Sequence, residues 1–104
     1  MDRGEVWWAD LPVPVGRRPV LILTRSSAVA VRNQVVVAQI TRTVHNLPSE
    51  VALTRSDGMP RDCVVNCDVL ITVPKPRLMR RITQLSSAKL TEVNQAVRFA
   101  LDLP

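Results

Sequence analysis

Three polar residues interrupt otherwise apolar segments of the sequence, each at the end of a predicted strand. Arg18 precedes Pro19 and an apolar run, Thr41 ends a β-branched run, and Asp68 follows Cys67. A guanidinium can donate two parallel hydrogen bonds to a phosphate, and a hydroxyl can donate one. Pro19 biases the backbone of Arg18 towards an extended conformation, which helps to fix where its side chain points. These residues are either ordinary strand-end charges or parts of a site for a phosphodiester.

Such a site would suffice for one particular reaction. RNA carries its own nucleophile, the 2′-hydroxyl, which a protein need only align with the phosphorus. Alignment can contribute ~7–11 kcal/mol, and one well-placed donor to the developing negative charge ~2.7–4 kcal/mol. An arginine and a threonine, such as Arg18 and Thr41, therefore meet the minimal chemical requirement for RNA cleavage without a metal.

The charge of the chain favours the same class of partner. Lys and Arg total 14 against 9 Asp and Glu, a net charge of +5, and every cation except Lys75 and Lys89 is arginine. Guanidinium groups bind phosphate and stack on bases, so nucleic acid is the first candidate partner, the alternative being a solvated arginine-rich surface.

Several familiar catalytic motifs are absent from the sequence. A single histidine excludes a multi-histidine metal site, and there is no Gly-rich phosphate loop, G-x-S-x-G, H-E-x-x-H or paired C-x-x-C. We therefore predict no metal site and no cofactor.

The two cysteines are predicted to be buried, unbridged thiols. Cys63 and Cys67 lie in apolar strand-like sequence, and four residues of strand would separate them by roughly 13 Å. A disulfide requires Cα atoms within ~7 Å. The apolar surroundings also disfavour a nucleophilic pair formed by either thiol with His45.

No segment resembles a membrane span or a signal peptide. The longest apolar runs, such as residues 20–23 and 35–38, are far shorter than the ~20 residues that cross a bilayer. The N-terminus lacks the apolar stretch of a signal peptide. We expect a cytoplasmic protein with no membrane association.

The pattern of apolar residues predicts a mainly β domain that ends in one helix. Ser86 or Ser87 could cap the helix, in which apolar residues recur at helical spacing (Leu90, Val93, Val97 and Leu101). This indicates a single domain over residues 1–104 with a small, bent antiparallel sheet or partly open barrel. Strands are predicted at 3–10, 20–24, 34–41, 49–53, 62–73 and 78–85.

Five segments, in order, resemble the MazF/PemK-type toxins of bacterial and plasmid toxin–antitoxin systems. They are RGEVWWADLP at 3–12, GRRPVLIL at 16–23, VAQIT at 37–41, VVNCD at 64–68 and ITQLS at 82–86. The resemblance implies a small SH3-like, CcdB-like antiparallel barrel with a C-terminal helix, acting as a homodimer. It also implies sequence-specific cleavage of single-stranded RNA to a 2′,3′-cyclic phosphate and a 5′-hydroxyl, with a cognate MazE-like antitoxin as inhibitor.

The same resemblance assigns roles to individual residues. The family's catalytic arginine falls on Arg18 and its catalytic threonine or serine on Thr41. The aspartate used for catalysis in the PemK/Kid branch falls on Asp68, but Asn66 stands where that branch carries an arginine, so Asp68 is assigned to RNA binding. The full set predicted to bind RNA is Arg17, Gln39, Arg42, Thr43, His45, Asn66 and Asp68.

Trp8 matches an aromatic residue in the core of the family's first strand, which predicts a packing role for it. Base reading would then depend on arginine planes, His45 and Gln39, and the loop at 11–17 is short for the family. Two other functions stay open at this point: a CcdB-like toxin that binds DNA gyrase, and a nucleic-acid-binding barrel without catalysis.

Overall fold

The computed structural model describes residues 1–104 and contains one six-stranded antiparallel sheet with a C-terminal helix, so the predicted fold class is confirmed. The strands occur in the order β4-β5-β3-β2-β1-β6. No helix is both long and apolar enough to cross a membrane. The strands are β1 Glu5–Leu11, β2 Gly16–Ile22, β3 Gln34–Thr41, β4 Glu50–Leu53, β5 Cys63–Pro74 and β6 Leu78–Gln84; the helices are α1 Ser26–Val29 and α2 Ser87–Leu101.

Both faces of the sheet are apolar near its centre, because alternate residues of the central strands enter two different cores. Leu21 of β2 and Ala38 of β3 belong to a cluster that also contains Val93 of α2. Val20 and Ile22 belong to a second cluster on the other side of the strand. This two-sided burial explains why the sequence of β2 is continuously apolar rather than alternating.

Helix α2 begins where the sequence predicted. The Ser86 hydroxyl accepts a hydrogen bond from the Lys89 amide at 3.1 Å, which satisfies a backbone donor of the first turn. Val93 is fully buried, whereas Leu101 is about half exposed, and Ala100 packs against the core in the last turn instead.

The two edge strands, β4 and β6, are joined by a side-chain contact from the β4–β5 linker, residues 54–62. In this linker, a one-turn 3-10 helix at Arg55–Asp57 ends at Gly58, which has a φ of +91°. The Thr83 hydroxyl in β6 donates a hydrogen bond to the Asp57 carbonyl oxygen at 3.1 Å. The sheet therefore curls into a partly open barrel whose gap is bridged by this linker.

Strand β2 differs from the prediction in length, and strand β5 is bent by a bulge. Strand β2 begins at Gly16, four residues earlier than predicted, because Gly16 and Arg17 pair with the end of β1 across a tight turn. Strand β5 is continuous, but Asn66 pairs with Gln39 and Leu70 with Ala38, so the residues between Asn66 and Leu70 form a bulge.

Candidate active site

Strands β2 and β3 bring Arg18 and Thr41 to the same part of the molecule. The strands are antiparallel, with Val20 opposite Gln39, and continuing this register by two residues leads to Arg18 and Thr41. Residues that face each other in an antiparallel pair direct their side chains to the same side of the sheet. Both residues line one open cleft, as the phosphodiester hypothesis requires.

The cleft has a volume of about 730 Å³ and lies where four segments meet. Strands β1 and β2 and the turn between them form one wall, the end of β3 forms another, and the β4–β5 linker with the start of β5 completes it. Its thirteen lining residues are Trp8, Val15, Arg17, Arg18, Pro19, Ile40, Thr41, Arg42, Thr43, Met59, Pro60, Arg61 and Cys63.

The charge of the cleft is uncompensated. Four of its lining residues are arginines (Arg17, Arg18, Arg42 and Arg61), and none is an aspartate or a glutamate. None of the four forms an ion pair, since the salt bridges of the chain involve other cations. A concave surface with charges of one sign concentrates ligands of the opposite sign, so this cleft favours a polyanion.

The Thr41 hydroxyl is held in place by the residues that follow it. Its oxygen accepts a hydrogen bond from the Thr43 amide at 3.2 Å. A hydroxyl has one donor hydrogen and two acceptor positions, and no acceptor within the chain takes the Thr41 hydrogen. The proton of this group is therefore available to an oxygen atom of a bound ligand.

Four of the predicted RNA-binding residues do not line the cleft. They are Gln39, His45, Asn66 and Asp68. Gln39 of β3 pairs with Asn66 of β5, which pairs on its other side with Glu50 of β4. The Glu50 carboxylate accepts a hydrogen bond from the His45 amide at 3.0 Å, and the His45 side chain is exposed. Gln39 lies two residues before Thr41, about 7 Å along the strand, so this polar row could bind a ligand that extends out of the cleft.

Asp68 is engaged within the β5 bulge. Its carboxylate accepts a hydrogen bond from the hydroxyl of the buried Ser49, and its amide donates to the Asn66 side-chain oxygen at 3.0 Å. It also lies outside the cleft. These contacts give Asp68 a structural role in the bulge, and its assignment to RNA binding stays a prediction.

Sequence reasoning missed the contribution of the β4–β5 linker, which places Met59, Pro60 and Arg61 in the cleft. No local motif marks these residues, because their position depends on the contact between Gly58 and β6. Trp8 also differs from the prediction, since it lines the cleft and belongs to neither core cluster.

Both cysteines are free and buried, as predicted. Burial raises the pKa of the Cys63 thiol, and the nearby Asp62 and Asp57 carboxylates raise it further. Burial, together with Asp68, raises the pKa of Cys67 to about 11. The thiolate is the reactive form of cysteine, so the position of Cys63 in the cleft wall does not make it a nucleophile near neutral pH.

A comparison with protein families identifies the chain. The family described as "PemK-like, MazF-like toxin of type II toxin-antitoxin system" matches residues 2–101. The protein belongs to the PemK/MazF toxin family. The sequence segments that indicated this family, including those with Arg18 and Thr41, lie within the matched region.

Individual members of the PemK/MazF family match over nearly their whole length. A Mycobacterium tuberculosis protein named probable endoribonuclease MazF2 is 46% identical over 99 residues, which cover 94% of this chain and 95% of the relative. The endoribonuclease MazF of Staphylococcus saprophyticus is 34% identical over 112 residues, covering 99% and 92% of the two chains.

Solved structures of family members have the same fold. The Mycobacterium tuberculosis toxin MazF-mt6 superimposes with a TM-score of 0.89 at 35% identity, covering 96% of this chain and 98% of the toxin. A mycobacterial endoribonuclease, solved in complex with its cognate antitoxin, gives a TM-score of 0.89 at 28% identity, covering 100% and 97%.

Proposed function

We propose that this PemK/MazF family member is a toxin that cleaves single-stranded RNA in a sequence-specific manner. The observation that carries the proposal is that Arg18 and Thr41 line one cleft with three further arginines and no acidic residue. Relatives that match nearly the whole chain are named endoribonucleases, which supports the same activity here.

The proposed reaction is an internal transfer of the phosphodiester. The 2′-oxygen of the ribose attacks the adjacent phosphorus and loses its proton, while the bond from phosphorus to the 5′-oxygen breaks and that oxygen gains a proton. The products are a 2′,3′-cyclic phosphate and a 5′-hydroxyl. The RNA itself supplies the nucleophile, so the proposal calls for neither a metal nor a cofactor.

Arg18 and Thr41 would each stabilise the charge that develops on the phosphate oxygens. Arginine stays protonated in proteins, so Arg18 acts through its charge and its paired donors rather than by proton transfer. The Thr41 hydroxyl, whose hydrogen has no acceptor within the chain, can donate a hydrogen bond to the same phosphate. A single donor of this kind contributes about 2.7–4 kcal/mol to transition-state stabilisation.

The other predicted residues would hold the strand on either side of the cleaved bond. Arg17, Arg42 and Thr43 line the cleft, which supports a role for them in binding neighbouring phosphates. The polar row outside the cleft, to which Gln39 and Asn66 belong, would contact bases of the emerging strand. We propose His45 and Asp68 as further contacts in this region.

The charge of the cleft also suits an inhibitor. An acidic, partly disordered segment of a cognate antitoxin could cover a cleft lined by four arginines, because disordered segments can wrap large surfaces. We propose such a MazE-like partner, together with a homodimeric toxin that acts in the cytoplasm. The alternative of a CcdB-like protein that binds DNA gyrase is not favoured, because the family match and the named relatives support ribonucleases.

Incubation of the purified protein with a long single-stranded RNA in EDTA tests the proposal. We expect fragments with 5′-hydroxyl ends, and sequencing those ends would give the cleavage motif. Arg18→Ala and Thr41→Val should each slow cleavage about 10²–10³-fold, whereas Thr41→Ser, which keeps the hydroxyl, should retain most of the activity. Arg98→Ala, which removes a cation from the exposed face of α2, is the charge-matched control.

Two results would contradict the proposed activity. The first is intact RNA across varied sequences with the wild-type protein. The second is equal cleavage by the wild type and Arg18→Ala, which would indicate a contaminating nuclease. Co-purification of gyrase without RNA cleavage would support the CcdB-like alternative instead.

A further inference from the structure

The two adjacent tryptophans of β1 have different environments. The Trp7 side chain packs against the second core, and its indole nitrogen donates a hydrogen bond to the Glu5 carboxylate at 2.8 Å. Trp8 packs against neither core cluster, is half-buried and lines the cleft. Its indole N–H has no acceptor within the chain, and no polar side-chain atom is both sealed from solvent and unpaired, so the indole nitrogen is accessible to solvent.

The position of Trp8 makes it one half of an apolar platform. Trp8 faces Pro19 directly across the β1–β2 pair, and side chains at such positions have Cβ atoms ~4.5–5.5 Å apart. Pro19 also lines the cleft and directly follows Arg18. The Trp8 indole and the Pro19 ring thus lie side by side in the wall of the cleft that Arg18 also lines.

The rest of the cleft cannot provide an equivalent surface. The chain has no tyrosine, its one phenylalanine is Phe99 on α2, and Trp8 is the only aromatic residue in the cleft. The other apolar lining residues, such as Val15 and Met59, are aliphatic. An unstacked base bound in the cleft can therefore stack on only one aromatic side chain, that of Trp8.

We infer that Trp8, supported by Pro19, is the stacking platform for one unpaired nucleobase of the RNA, next to the phosphate held by Arg18. The inference rests on the proposed ribonuclease function and adds a specificity-determining residue to it. Stacking on an aromatic ring contributes substantially for each base and tolerates any base identity. Duplex bases are already stacked on each other, so the platform selects single strands.

Fluorescence can test this contact directly, because the chain has only two tryptophans. In Trp7→Phe, Trp8 is the sole emitter; in Trp8→Leu, only Trp7 remains. The probe is a mixed-sequence single-stranded oligodeoxynucleotide, which has no 2′-hydroxyl and cannot be cleaved by the proposed reaction. We expect it to quench the emission of Trp7→Phe strongly and that of Trp8→Leu little.

Affinity measurements separate stacking from phosphate binding. Trp8→Leu should bind the oligonucleotide about ten- to a hundredfold more weakly than the wild type, while Trp8→Phe, which keeps an aromatic face, should lose only a small part of the affinity. Inorganic polyphosphate, which has no bases, should bind the wild type and Trp8→Leu equally. Thermal unfolding of each variant establishes that it is folded before binding is measured.

Equal oligonucleotide affinity for the wild type and Trp8→Leu would overturn the inference, as would unchanged emission of Trp7→Phe on binding. An equal loss of polyphosphate binding in Trp8→Leu would also overturn it, because the residue would then support the arginines rather than a base. These outcomes are distinct from failure of the ribonuclease proposal, in which the wild type stacks the probe on Trp8 but cleaves no RNA.

Discussion

The Thr83 hydroxyl donates a hydrogen bond to the carbonyl oxygen of Asp57, and this contact joins opposite edges of the sheet. The linker held by this bond also contains Met59, Pro60 and Arg61, which line the cleft. Closure of the barrel and assembly of one wall of the candidate active site therefore depend on the same short segment.

Substitution of Gly58 should damage both features. Its φ of +91° is unfavourable for residues with a Cβ atom, and an added Cβ would lie 2.8 Å from the Cβ of Thr83 and closer still to its hydroxyl. We expect Gly58→Ala to lower the free energy of unfolding by about 2–4 kcal/mol, combining backbone strain with the clash. Urea denaturation measures this loss.

Gly16→Ala is the matched control for Gly58→Ala. Gly16 also has a positive φ, +71°, but an added Cβ would meet no atom within 4 Å. It should therefore show the backbone strain alone. Equal losses for the two variants would contradict the contact between Gly58 and β6.

Arg61 should contribute to binding through a phosphate. Each phosphate neutralised on a single strand contributes about −0.7 to the slope of log Kobs against log salt concentration. We expect Arg61→Ala to flatten this slope by about 0.7 for single-stranded RNA, whereas Arg98→Ala should leave it unchanged. Binding measured at several salt concentrations gives the slopes, and an unaltered slope in Arg61→Ala would exclude a phosphate contact.

The Cys67 thiol should make stability fall at alkaline pH. Its pKa rises from 9.0 to about 11 in the folded protein, so between these values the folded state holds a proton that the unfolded state has lost. The contribution is fully present below pH 9 and is lost as the pH rises towards 11. Denaturation of the wild type and Cys67→Ala at pH 7 to 10.5 should show a steeper decline for the wild type, and parallel curves would contradict the assignment.

Glu50 should order the segment between β3 and β4. Its carboxylate accepts hydrogen bonds from the amides of His45 and Leu47, and bonds to charged groups contribute about 1.5–3 kcal/mol. We expect Glu50→Ala to speed hydrogen exchange at these two amides about tenfold or more, as measured by NMR. The Thr54 amide donates its hydrogen bond to the Asp57 carboxylate instead, so its exchange rate should be unaffected. Unchanged exchange at His45 would show that the contact is not maintained in solution.

Local sequence patterns were sufficient for most of the fold. Strand β3 was predicted at its observed limits because a β-branched run is bounded by polar residues, and α2 was predicted from Ser86 and its apolar spacing. The early start of β2 was missed. The pairing of Arg17 with Asp10 depends on the short turn at residues 12–15, and no single residue of this segment indicates how short the turn is.

The site was less accessible to sequence reasoning. Arg18 and Thr41 could be singled out because each is a polar residue at the end of an apolar run. Arg61 could not, since it reaches the cleft only through the contact of Gly58 with a strand about 25 residues further along the chain. The environment of Trp8 could not be predicted either. The alternation of side chains along β1 indicates on which face of the sheet Trp8 lies, but not whether the core or the cleft covers that part of the face.

The four unpaired arginines of the cleft should destabilise the protein when no ligand is bound. Like charges gathered on one concave surface repel each other, and this self-repulsion opposes the compact state. Any polyanion that occupies the cleft removes the repulsion in addition to forming its own contacts. The protein with an empty cleft should consequently unfold at a lower temperature than the same chain with its cleft filled.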